Sequence, residues 1–176
     1  MKSFERMLMS IVLTAGLVAG TIPSAAHSGC LRWPFSGGVL SLQHYVGYVD
    51  FGSYPEYRDA INDWNQPATR IWFYDGGSPQ SYQVKSVTSS YTETWPGLAI
   101  VYTNGCTITD AVVLLNTRLL VNYTYADRRH VECQELGHTL GLNHNDIPTG
   151  SCMNDATYWQ YYISTHDIDD VNLMYP

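Results

Sequence analysis

The stretch from Cys133 to His144, Cys-Gln-Glu-Leu-Gly-His-Thr-Leu-Gly-Leu-Asn-His, gathers an amide, a carboxylate and two imidazoles, and Ser151-Cys152-Met153 follows shortly after. On a helix, residues four apart share a face, so Gln134 and His138 project to the same side with Glu135 beside them. Gly141 can take a left-handed conformation that ends the helix and swings His144 round to meet His138. Three donors with an open fourth position make the arrangement of a catalytic zinc site, where a neighbouring carboxylate serves as general base. The expected metal ligands are therefore Gln134, His138 and His144, the expected cofactor is Zn2+, and the expected base is Glu135. An ordinary core histidine explains His138 taken alone, but not the Gly141 and His144 that follow it.

Other groups fit the site less well. His130 lies eight residues before His138, about 12 Å along a continuous helix, and reads as a surface residue near the helix start. His166 belongs to Thr165-His166-Asp167, read as a helix cap followed by an acidic first turn. Asp146 reads as a solvated loop carboxylate. His44 alternates within a strand and offers no partner.

The elements that must position these groups can be read from periodicity. Val39 to Phe51 is rich in β-branched and aromatic residues and predicts a strand. Ser53 or Pro55 then opens a helix in which Tyr57, Ala60, Ile61 and Trp64 recur at helical spacing. Arg70 to Tyr74, Tyr82 to Tyr91, Leu98 to Thr103 and Ala111 to Leu120 predict further strands before the helix that carries Gln134 to Leu140. A last helix carries Ile168, Val171 and Leu173. Strands, a helix, more strands and helices again imply an α+β domain with one sheet.

The chain has 176 residues. Lys2 and Arg6 precede an apolar run from Met7 to Gly20, and Ser24-Ala25-Ala26 supplies small residues for cleavage, the pattern of a secretory signal peptide. A membrane anchor needs about 20 apolar residues, more than this run provides. The expected division is a signal peptide over 1–26 and a single domain over 27–176, exported to the extracellular space and free of the membrane after cleavage. The formal charge is −7, and the basic residues are scattered apart from Arg128-Arg129, which argues against nucleic acid as a partner. Nothing in the sequence calls for a second subunit, and a monomer is expected.

Four cysteines, Cys30, Cys106, Cys133 and Cys152, fall in the exported part, where disulfides persist. Three pairings are possible. Cys133 with Cys152 is favoured because it closes a loop of about 20 residues and stabilises by roughly 3 kcal/mol on the chain-entropy model; Cys30 with Cys106 follows by elimination. No paired C-x-x-C spacing supports a structural zinc instead.

Between Gln134 and Met153 the sequence resembles the metzincin zinc metalloproteases, H-E-x-x-H-x-x-G-x-x-H with a methionine turn downstream, and most closely their matrixin-like secreted branch. Glu135, His138, Gly141 and His144 match, whereas Gln134 stands where the family has its first histidine. Met153 stands at the expected turn; Met174, in Leu173-Met174-Tyr175-Pro176, is a rival less well placed. A tyrosine that contacts zinc in some branches is Asp155 here. The resemblance implies a zincin-type α+β fold: one mixed twisted sheet, an N-terminal helix, an active-site helix and a C-terminal helix. It also implies a zinc-dependent endopeptidase acting on protein or peptide substrates. Gln134 keeps a second reading open, because a carboxamide oxygen is a poorer donor than imidazole: a non-catalytic metzincin-fold binding protein.

Overall fold

The computed structural model describes residues 29–47, 55–76, 78, 80–145, 150–154 and 161–176. The signal peptide, the extension of the first strand to Phe51, Ser53, Asp146 and Asp155 lie outside these residues.

Five strands form one sheet: β1 (Leu40–Gly47), β2 (Ile71–Asp75), β3 (Val84–Ser89), β4 (Gly97–Asn104) and β5 (Thr107–Asn116). Their order is β2-β1-β3-β5-β4, with β4 antiparallel and the rest parallel. Alternation along β1 and β3 sends Leu40, Leu42, His44, Val84, Ser86 and Thr88 to the buried face, as the two-residue repeat of a strand requires.

Helix α1 (Pro55–Trp64) buries Tyr57, Ala60 and Trp64 completely, the apolar stripe that its spacing predicts. Burying a large apolar side chain stabilises by about 1.5–3 kcal/mol, and Trp64 also donates from its indole to the Cys133 carbonyl at 2.9 Å. This ties α1 to helix α3 (Tyr125–Thr139), which packs on α1, β4 and β5. Two ion pairs reinforce the contact: Arg128 with Glu56, and Arg129 with Asp63 at 2.6 Å. The basic doublet of the sequence is thus engaged by acidic groups of α1.

Thr117 to Leu120, predicted as the end of a strand, forms a short helix, α2. The cause lies at Asn116. Its side chain donates to the carbonyls of Glu93 and Trp95, both at 3.1 Å, and accepts from the Tyr91 amide at 3.2 Å. Arg118 adds bonds to the carbonyls of Tyr91 and Thr92. The chain must turn to make these contacts, so the aliphatic run cannot stay extended.

Helix α4 (Thr165–Met174) begins one residue earlier than its sequence suggests: Ser164, not Thr165, is the cap. Ser164 accepts from the Asp167 amide while the Asp167 carboxylate accepts from the Ser164 amide, a reciprocal box that satisfies two otherwise orphaned donors. No helix among the described residues is long and apolar enough to cross a membrane.

Candidate metal centre

Helix α3 starts at a second capping box, Thr124 with Asp127, well before the Gln134–Leu140 motif. His130 therefore lies inside the helix and is 2% exposed, a correction to its reading as a surface residue. Farther along, Gln134 and His138 stand one turn apart on one face, both half-buried. Glu135 is 7% exposed and lies against β4, since a Cβ on Gly97 would fall 2.8 Å from its Oε1 atom.

Leu140 caps the end of α3, and Gly141 then adopts φ +93°. That conformation favours glycine, and space enforces the choice again: a Cβ there would sit 2.5 Å from the Leu31 carbonyl oxygen. The last helical carbonyls are satisfied from both ends of the chain. The Trp33 indole donates to Thr139 O at 2.8 Å, and the Tyr175 hydroxyl donates to Leu140 O at 2.8 Å while accepting from the Trp33 amide. Burial pushes the Tyr175 pKa up to about 12.

The turn brings His144 back to His138. Their Nε2 atoms are 2.9 Å apart. His138 Nδ1 lies 2.8 Å from the Leu142 carbonyl oxygen, which can only accept, so Nδ1 carries the proton and Nε2 presents its lone pair toward His144. Two imidazole nitrogens bound to one tetrahedral zinc lie roughly 3.3 Å apart. A slight opening of the pair would suffice to admit the ion, and the donor chemistry fits it. Gln134, one turn before His138 on the same helix, carries an amide oxygen, a donor of a different kind. Among the described residues no three His, Cys, Asp or Glu side chains gather as a metal site.

Met153 is fully buried beneath the helix: a Cβ on Gly137 would come within 2.2 Å of its sulfur. Glycine at 137 thus allows the turn at Cys152-Met153 to seat directly against α3. The turn is held by the Cys133–Cys152 bridge and by the Asn145 amide, which donates to Met153 O at 2.7 Å. Ser151 Oγ accepts from the Met153 amide at 2.8 Å and donates to Asp167 at 2.6 Å. The rival, Met174, instead packs beside Gly141. The second disulfide, Cys30–Cys106, fastens the N-terminal segment near β5.

His166 sits near this assembly, 3.3 Å from the Asp170 carboxylate and 3.1 Å from the Asn145 amide. His44 has partners that its strand context did not reveal. Its Nε2 is 3.0 Å from Ser86 Oγ, and Ser86 donates to Glu132 at 2.9 Å. The composition is that of a nucleophilic triad, but the connectivity is not: the carboxylate accepts from the serine rather than orienting the histidine. Ser86 is 0% exposed, so no substrate can meet its hydroxyl. Burial lowers the His44 pKa to about 4, against an opposing pull from Asp75. A hydrogen-bonded chain linking β1, β3 and α3 is its function in the fold.

No family model matches the sequence, and no curated protein matches it. Solved structures do. The structure of myroilysin aligns with TM-score 0.57 at 13% identity, covering 85% of this chain and 98% of that one. High choriolytic enzyme 1, a hatching-enzyme zinc protease from Oryzias latipes (medaka fish), aligns with TM-score 0.51 at 14% identity, covering 84% and 95%. The chain has the α+β, metzincin-like fold of these structures.

Proposed function

We propose that this chain is a secreted zinc-dependent metalloendopeptidase of matrixin-like type, with Gln134, His138 and His144 as ligands and Glu135 as general base. One observation carries the reading: two imidazoles on either side of a glycine turn aim their Nε2 atoms at a common point, 2.9 Å apart. The zinc-protease fold supports it, as do the two disulfides, which suit an exported protein.

Zinc, when bound, supplies Lewis acidity that polarises the scissile carbonyl and makes a water proton easier to remove. Glu135, beside the ligands, takes that proton and returns it to the leaving amine. The Leu142 carbonyl holds the His138 ring in the orientation that keeps Nε2 available. β4 is the outer strand of the sheet and borders Glu135, so its open edge offers an extended peptide the main-chain hydrogen bonds of an added strand. Protein or peptide is accordingly the substrate class.

Metal content and peptide cleavage of the mature protein test this reading, with Glu135→Ala and Gln134→His as comparisons. Zinc retained with cleavage lost in Glu135→Ala supports the peptidase. A natural chain that neither binds zinc nor cleaves, but gains both with Gln134→His, makes it a degenerate binding protein. If neither substitution changes metal content or cleavage, the site assignment is wrong.

A further inference from the structure

Gly97, the first residue of β4, faces the site helix across a gap too narrow for a side chain. A Cβ built there would lie 2.6 Å from Val131 Cγ1, 2.8 Å from Glu135 Cγ and 2.8 Å from Glu135 Oε1. Real side chains do not approach so closely, so one of four parts must yield: strand, helix, the Val131 side chain or the Glu135 side chain.

Neither backbone is free to move. Gly97 pairs with Leu115 in the β4–β5 ladder, and the residues before it are pinned by Asn116, whose amide donates to Pro96 O at 2.9 Å and whose side chain donates to Trp95 O at 3.1 Å. On the other side, α3 is fixed by the Cys133–Cys152 bridge and by the Trp64 indole on Cys133 O. Val131 is buried in the core. The β-branched Val131 holds one rotamer in a helix, whereas the longer, unbranched Glu135 side chain has more alternatives. The absence of a side chain at 97 therefore leaves the carboxylate the space it occupies.

We infer that Gly97 is a positioning residue for Glu135, holding open the space in which the carboxylate reaches the reacting water. The inference rests on the peptidase reading, in which Glu135 is the base. It differs from a plain packing role: a small residue needed only for close approach of strand and helix would be relieved by trimming Val131, whereas the space kept for Glu135 would not be restored.

Four full-length mature proteins separate the two: the natural chain, Gly97→Ala, Val131→Ala, and the double variant. Thermal unfolding of the metal-free proteins, zinc per chain, kcat and KM on a peptide, and the crystallographic position of the Glu135 carboxylate are compared. In the double variant, the unfolding midpoint and zinc content should match those of Val131→Ala. Its kcat should fall about tenfold or more with KM unchanged, and its Glu135 carboxylate should be displaced. A double variant that turns over like Val131→Ala, or whose carboxylate stays in place, overturns the proposal. If no natural or Val131→Ala protein cleaves peptide, the peptidase reading fails, and the carboxylate position still decides whether Gly97 sets the placement of Glu135.

Discussion

A carboxamide in place of an imidazole changes a metal site in two ways: the oxygen is a weaker donor to zinc, and the terminal amide can rotate where a ring cannot. Gln134→His should raise zinc affinity at least tenfold, about 1.4 kcal/mol, measured by titration against a competing chelator. An unchanged affinity would place the side chain of residue 134 outside the donor set. His44 gives a second prediction at this scale. Its folded pKa of about 4 is below the ordinary histidine value of 6.5, so between these pH values the unfolded chain holds more protons. Its contribution to stability should fall as the pH drops from 6.5 to 4, by about 3 kcal/mol in all. Denaturant midpoints across that window check it, and His44→Gln should run flatter. The approach of His144 to His138 past Gly141 was legible because its spacing is local. The partners of His44 were not: Ser86 and Glu132 are separated by 46 residues in sequence and meet only across the packed sheet and helix.

Helix α3 is the element on which the site depends, and both of its ends are built with care. Removing the cap hydroxyl by Thr124→Ala should cost about 1 kcal/mol in denaturant unfolding, with little effect on zinc content because the site lies at the opposite end. Gly141→Ala should do the reverse. Placing a side chain at φ +93° and against Leu31 O should displace His144 and empty the metal site. Zinc analysis together with circular dichroism would show whether the helix survives that loss; full zinc retention would mean that the turn tolerates a different path. Periodicity revealed α1 by its apolar stripe and α4 by Ile168 and Val171, but Leu173 faces outward at 73% exposed and Met174 takes the buried position instead. It misassigned Thr117 to Leu120 because an aliphatic run looks the same in either conformation until Asn116 binds the preceding loop. It also placed the cap of α4 at Thr165, although two adjacent hydroxyl residues are available and the Asp167 carboxylate selects Ser164.

At the scale of the molecule, the α+β class followed from the succession of elements, but the strand order did not. β1 lies between β2 and β3, and β4 enters antiparallel at the edge, arrangements set by contacts among distant segments that local pattern cannot encode. Such a sheet gains from covalent staples. Replacing both Cys133 and Cys152 by alanine should lower unfolding stability by about 3 kcal/mol, with zinc binding affected further through the loosened methionine turn. The contact between Trp33 and Tyr175 has a consequence for synthesis. These residues are 142 positions apart, yet together they finish the turn that delivers His144. A ribosome releases the first long before the second, so a growing polypeptide cannot complete this turn until Tyr175 has been made and released. Chains stopped at Met174 should accordingly lose zinc on dialysis faster than the full-length protein.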